Sequence, residues 1–282
     1  MQFFREDFEI LVSLKNKAVS FKVELHKDWY GKEFWSKVSN ETYEPDTIKF
    51  VENFCDKSTD FVDIGAANGA FSLIAFSLGA RVYAFEPNPV MYEVAKRNFS
   101  INFKKNKMLR IENKAVSSES GEIEFKIDHA PSILSDIVFT GMEMCKSSRI
   151  SVVSLSEVLN EIHKDLNRNV VVKMDIEGAE WKILKSKLSL NALRTHGVVL
   201  LLAIHPGFHR PFKKTVRGLD AINLRIFKLK NFLDSLKLFG DLHGVAKVFR
   251  TNFNPITNKL NFAGLAHHGY HEFIIDFSSD SK

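Results

Sequence analysis

An α/β fold is predicted, built on a mostly parallel, twisted sheet with helices on both faces and an antiparallel carboxyl-terminal hairpin; three features of the sequence predict it. The first is Phe61-Val62-Asp63-Ile64-Gly65-Ala66-Ala67-Asn68-Gly69-Ala70-Phe71, an apolar strand entering a small-residue turn and then a helix. The second is Arg81-Val82-Tyr83-Ala84-Phe85-Glu86-Pro87-Asn88-Pro89, a strand ending on a carboxylate about 20 residues beyond the glycines, as nucleotide-binding βαβ units do. The third is the alternation of strand and helix signals that continues to residue 204.

Residues 1–42 form an amino-terminal extension whose alternating run Ala18 to Leu25 reads as a strand. Residues 43–282 form the main domain. It opens with a helix at Pro45-Asp46-Thr47, where Ile48, Val51, Phe54 and Cys55 share one face and proline suits the first turn. Strand 60–64, helix 71–78, strand 81–85, helix 91–103 and strand 108–112 follow. Segments 121–127 and 149–153 read as a strand pair flanking a polar, lid-like insertion at about 128–148. Helix 155–162, strand 170–174, helix 180–187 and strand 198–204 then lead to a second insertion, 206–242, with an amphipathic helix on Ile222, Ile226, Leu229, Leu233, Leu236 and Phe239. Strands 244–249 and 271–277 close the sheet as an antiparallel hairpin. Right-handed crossovers bring the carboxyl ends of the parallel strands to one edge, where open α/β sheets bind their ligands.

With 45% hydrophobic and 26% charged residues, the composition is that of an ordinary soluble protein. No stretch reaches the roughly 18 to 20 apolar residues of a membrane span. The acidic opening Glu6-Asp7 lacks the pattern of an export signal, and Cys55 and Cys145 form neither a metal cluster nor a disulfide framework, so a cytoplasmic setting is expected. A net charge of +5 is modest for this length and does not by itself imply nucleic acid. No metal is assigned, because His209, His267, His268 and His271 match no tight ligand spacing.

Small residues at Gly65, Ala66, Ala67 and Gly69 let the backbone turn sharply and a ligand approach. A tight strand-to-helix turn would use them as well, but Glu86, placed to accept hydrogen bonds from ribose hydroxyls, favours binding. The spacing Gly65-x-x-x-Gly69 departs from the G-x-G-x-x-G of dinucleotide folds, and Asp63 suits the amino-acid end of S-adenosylmethionine better than a phosphate.

A further motif, Val172-Lys173-Met174-Asp175-Ile176-Glu177-Gly178-Ala179-Glu180, joins the first two in order and spacing. Together they closely resemble the FkbM family of S-adenosylmethionine-dependent methyltransferases, whose pattern runs D-x-G-A-N-x-G, A-F-E-P-N-P and K-x-D-x-E-G-A-E. The likeness extends over about residues 43–206 and includes Tyr43-Glu44-Pro45, Asn113-Lys114-Ala115-Val116 and Val153 to Leu159. It implies a Rossmann-like class I methyltransferase fold and O-methylation of a hydroxyl on a carbohydrate, such as a glycan or nucleotide sugar, or on a natural product.

The resemblance puts Asp63 and Gly65 at the methionine portion of the cofactor, Glu86 on its ribose, Asn113 to Ala115 beside adenine and Glu44 at the amino-terminal side. Asn68 and Gly69 complete the cofactor loop, although the family more often carries its Asn one place earlier. Asp175 and His205 are the candidate catalytic groups, the former for acceptor orientation or proton removal, the latter as a base near neutral pH. Glu177 and Glu180 read as first-turn helix residues. The family often ends its next strand on Glu where this chain has Ala203. An inactive cofactor-binding homologue is therefore one alternative and an RNA ribose methyltransferase another, though no RNA-binding module is evident. Lys213, Lys214 and Arg217 suggest an anionic acceptor; oligomeric state is unassigned.

Overall fold

A computed structural model describes residues 7–14, 18–25, 31–102, 108–126, 147–164, 167–176, 179–204, 233–242, 245–257, 261–262 and 271–278. Its centre is a seven-stranded sheet. Taking strands in chain order, β1 (Asp7–Ser13) and β2 (Ala18–Glu24) form a separate antiparallel hairpin. The central sheet comprises β3 (Thr59–Ile64), β4 (Arg81–Phe85), β5 (Leu109–Glu112), β9 (Asn169–Met174), β10 (Val199–Ile204), β11 (Lys247–Arg250) and β12 (His271–Asp276). Their spatial order is β11-β12-β10-β9-β3-β4-β5.

All neighbours from β10 to β5 are parallel, whereas β12 runs antiparallel to both β10 and β11. Every residue of β3 is buried, as expected for a parallel strand covered on both faces, including Asp60 and Asp63. Within this sheet the chain starts at β3, works outward to β5 and returns to β9 on the other side, so the topological switch lies between β3 and β9. The hairpin expected at the carboxyl end is present as β11 and β12.

Helices cover both faces. On one, α2 (Pro45–Phe54) and α3 (Ala70–Ser77) bury Ile48, Phe50, Phe71 and Leu73 in a core shared with Phe61, Val171, Leu201 and Ile274. The amino-terminal hairpin and α1 (Lys32–Ser39) join the same core through Ile10, Phe21 and Trp35. The other face carries α5 (Leu155–Ile162), α6 (Glu180–Leu184) and α7 (Lys187–Thr195), with Leu159, Trp181, Leu193 and Leu238 packed on Val172 and Leu200. The fourth helix, α4 (Pro89–Asn102), lies beside β2 and β5.

Two helices were not legible. Only Trp35 and Val38 of α1 are fully buried, too few to impose a period, and the alternating Ser186-Lys187-Leu188-Ser189-Leu190 conceals α7, which Ser186 caps by accepting from Ser189 N–H. The expected pair 121–127 and 149–153 appears as β7 (Gly121–Lys126) antiparallel to β8 (Ser147–Ser154), in a second sheet completed by β6 (Ala115–Ser117). Insertion 128–148, apart from its last two residues, lies outside the described residues. Of insertion 206–242, only the helix at 233–242 is described. Among the described residues no helix is long and apolar enough to cross a membrane.

Candidate active site

The turn from β3 into α3 is shaped by what packs behind it. Gly65 has φ +83°, and a side-chain carbon there would overlap the Asp175 backbone carbonyl. Its N–H and that of Ala66 both donate to Phe85 O, at 2.9 and 3.1 Å. Gly69, at φ +82°, would drive a Cβ to 2.5 Å from the Phe99 ring. Both glycines allow close approach within the protein, Gly65 to the residue that follows β9 and Gly69 to α4. Asn68 is buried; its Oδ1 accepts from Ala70 N–H at 3.1 Å and its carbonyl from Asn98 Nδ2 at 3.0 Å, which makes it the clasp of this turn. Its own Nδ2 is buried without a hydrogen-bond partner among the described residues.

Glu86, just past β4, faces the same turn. Its Oε2 accepts from Ala67 N–H and its Oε1 from Asn88 N–H, both at 2.8 Å. Only 7% of the residue is exposed, and burial outweighs the two N–H donors, so its carboxyl is pushed up to about 7. Each oxygen retains a second lone pair. Asn88 then caps α4 by accepting from Val90 N–H at 3.0 Å. Asn113 fastens the turn after β5 to this strand end, its Nδ2 donating to Glu86 O at 2.8 Å and Pro87 O at 3.1 Å. Ala115 follows as the first residue of β6, paired with Val152.

Across the switch point the centre is Lys173. It is cross-strand partner to Asp63, and two residues along β9 from Asp175, so all three side chains share a face. Its Nζ lies 3.6 Å from Asp63 Oδ1, 3.9 Å from Asp175 Oδ2 and 3.4 Å from Gly65 O, and sits over the Phe71 ring. Burial alone would lower its pKa, but Asp63, Asp175, Glu44 and Glu272 together hold the ammonium above its ordinary value. Asp63 is fully buried; Ser72 Oγ donates to its Oδ2 at 2.7 Å, while Oδ1 has no hydrogen bond among the described residues. Burial pushes the Asp63 carboxyl up against the pull of Lys173 and Ser72. Asp175, by contrast, keeps 24% of its side chain exposed.

Glu44 precedes α2 in a left-handed conformation, φ 44° and ψ 61°. Its carboxyl is raised by burial and feels both Lys173 and Asp175. The Thr47 hydroxyl joins it to β12, lying 3.2 Å from Glu44 Oε2 and 3.0 Å from Glu272 Oε1.

The structure thus gathers Glu44, Asp63, Gly65 and Asp175 around Lys173, and Glu86, Asn113 and Ala115 one strand away; Asn68 and Gly69 brace the turn from behind. His205 and Glu177 lie outside the described residues. Glu180 is buried and accepts from Ile176 N–H at 3.1 Å, securing the turn that follows Asp175. Sequence reasoning passed over Lys173, Thr47 and Glu272. A lysine inside Val170-Val171-Val172-Lys173-Met174, two residues before Asp175, was a signal for the first; the other two depend on a contact 225 residues apart in the chain. Among the described residues no three His, Cys, Asp or Glu side chains converge as metal ligands. A cavity lined by Cys55, Leu78, Asn169, Gly197 and Val199 opens at the opposite edge of the sheet and shares none of these groups.

Such an edge can hold a ribose diol on Glu86, a cation beside the carboxylates around Lys173, and a reacting group at Asp175. The model of the methyltransferase FkbM domain matches residues 63–237, which contain all but Glu44 of the sequence-derived site. Among solved structures, a methyltransferase FkbM from Methylobacillus flagellatus KT is similar at 16% identity and a TM-score of 0.40, over 78% of this chain and 44% of that one. This chain thus spans under half the length of that relative. A SAM-dependent methyltransferase from Agrobacterium tumefaciens is similar at 12% identity and a TM-score of 0.41, over 99% and 72% of the two chains. No curated protein matches in sequence. With the family pattern spanning more than half of its residues and running through both halves of the switch-point site, the chain belongs to the FkbM methyltransferase family.

Proposed function

We propose that this protein transfers a methyl group from S-adenosylmethionine to a hydroxyl of a carbohydrate or natural product, with Asp175 orienting that hydroxyl or taking its proton. The methyltransferase class comes with the family; the acceptor is the proposed part. The observation that carries the reading is the pairing, across one topological switch, of a buried Glu86 with a partly exposed Asp175 held 3.9 Å from Lys173.

The residues fit the cofactor. Each Glu86 carboxyl oxygen accepts one backbone N–H and keeps a second lone pair for a ribose hydroxyl, and the carboxyl groups of Glu44, Asp63 and Asp175 around Lys173 suit a ligand with an ammonium and a sulfonium. The bound cofactor supplies an activated methyl carbon and a neutral thioether leaving group. The protein's part is alignment: Glu86 takes the ribose diol, Asp63 and the turn at Gly65 face the amino-acid end, and Asp175 fixes the acceptor in line. Proton removal by a positioned carboxylate adds about 10²- to 10⁴-fold. Lys213, Lys214 and Arg217, the basis for an anionic acceptor, lie outside the described residues. A cytoplasmic setting is part of the proposal.

The test is incubation of the full chain with S-adenosylmethionine and extracted glycans or a panel of hydroxylated natural products, read by mass spectrometry. The expected result is S-adenosylhomocysteine together with a product heavier by one methylene, both lost in Asp175→Asn. Cofactor binding with no product across the panel supports the inactive homologue instead, and methylated ribose in added RNA supports an RNA enzyme.

A further inference from the structure

Two histidines face each other at the end of the sheet opposite the candidate site. His163 caps the carboxyl end of α5 and His196 that of α7. Their rings meet at 68°, with one Nδ1 only 2.9 Å from the other. The outer nitrogens are engaged as well: His163 Nε2 lies 3.1 Å from the Arg168 carbonyl and His196 Nε2 2.9 Å from Asn160 Oδ1. A carbonyl oxygen only accepts, so each Nε2 must carry a hydrogen. A neutral imidazole has one N–H, which leaves both inner nitrogens as bare lone pairs. Two lone pairs facing at hydrogen-bond distance repel; one added proton turns the contact into an N–H···N bond.

We propose that His163 and His196 form a one-proton clasp between α5 and α7: His163, as an imidazolium, donates to the Arg168 carbonyl and to His196 Nδ1, while His196 stays neutral and donates to Asn160. The position favours a cation independently of the proton count, because two helices end here and helix carboxyl ends attract positive charge. A second proton is disfavoured, since burial and the charge of His163 lower the pKa of His196. Glu161 and Lys164 beside His163, and Arg194 in the last turn of α7, are exposed, and among the described residues none pairs with either ring. Arg168 is committed elsewhere, its guanidinium on Asp60 and on the Lys57 and Thr59 carbonyls. The clasp joins neighbouring crossovers, since α5 precedes β9 and α7 precedes β10. It holds best with one proton: loss of that proton sets lone pair against lone pair, and a second sets N–H against N–H. Because the folded pKa of His196 lies below its ordinary 6.5, the unfolded chain binds more protons, and stability falls as pH drops from about 6.5 through the lowered value.

Nitrogen NMR of the full chain labelled at histidine, with ring signals assigned through the backbone, counts the protons without any substitution. Near neutral pH the expected count is three N–H on the four ring nitrogens, with His196 Nδ1 alone bare, and the pair should titrate in two steps more than about one pH unit apart. A count of two, with the Asn160 amide turned to donate to His196, overturns the inference. Asn160→Asp fixes an acceptor at His196 Nε2 and should leave the count at three; a count that rises on this substitution shows that the native amide donates, and overturns it too. His163→Gln and His196→Gln should each lower the melting temperature at about pH 7 by about 2–4 °C, and together by no more than either alone. Additive losses refute the clasp. Where a variant does not fold, the proton count in the native chain decides.

Discussion

Lowering the pH from about 8 to about 5 should weaken cofactor binding roughly a hundredfold through Glu86 alone. In the free protein the Glu86 carboxyl is pushed up to about 7 by burial, so it is protonated through most of that range. Ribose hydroxyls donate to it, and two added donors favour the ionised form, so binding expels a proton. The apparent dissociation constant then rises about tenfold for each pH unit below about 7 and is level above it. The stability of the free protein has the opposite sign. A carboxyl whose folded pKa lies above its ordinary value of 4.5 contributes stability below that value and loses it as pH rises through about 7. The full contribution of such a shift is about 3 kcal/mol. Calorimetry in two buffers of different ionisation enthalpy counts the protons released. Asp63 and Glu44, also raised by burial, release protons in the same direction, so Glu86→Gln is the reference that subtracts them. Equal slopes in the native chain and Glu86→Gln, or no proton release at about pH 6, would refute the reasoning.

Two other substitutions probe the frame of the site. Gly65→Ala should cost at least about 3 kcal/mol, because a left-handed backbone and an overlap with the Asp175 carbonyl both oppose it; urea denaturation with an unchanged midpoint would show that the turn does not seat on β9 as described. Lys173→Met should cost about 3–5 kcal/mol by removing the cation beside the fully buried Asp63, and the loss should shrink on acidification as the Asp63 carboxyl is protonated; a loss independent of pH would assign the effect to packing on Phe71 instead.

The frame of the fold was readable because parallel strands buried on both faces appear as short apolar runs, as in Val199-Leu200-Leu201-Leu202-Ala203-Ile204. Charged residues at the ends of such runs, Asp63, Glu86 and Asp175, stand out as candidates because ligands of open α/β sheets bind there. Partnership was not readable. That Thr47 meets Glu272, or that Phe99 is what forbids a side chain at Gly69, depends on how distant segments are laid side by side. The glycines illustrate the limit: the sharp turn was legible, but the neighbours packed against it were not. Lys173 shows the converse, since a lysine in a buried strand announces a partner without naming it.

The amino-terminal hairpin is tied to the glycine turn by the buried side chain of Asn98. Asn98 of α4 accepts from Glu24 N–H of β2 at 3.0 Å and donates to Asn68 O in the glycine turn at 3.0 Å. One helix turn on, Asn102 binds the Lys22 backbone in both directions, so α4 is fixed against the hairpin at two points. The turn is therefore held by Phe85 O on one side, by Asn98 on another and by the Glu86 carboxyl at Ala67 N–H. Ala67 needs that last bond, since its φ of 48° costs about 1–2 kcal/mol for a residue with a side chain. A hydrogen bond to an ionised acceptor is roughly twice as strong as one to a neutral group. Ionisation of Glu86 on ligand binding thus tightens the same bond that supports the strained residue, so ligand binding and the geometry of the turn reinforce each other.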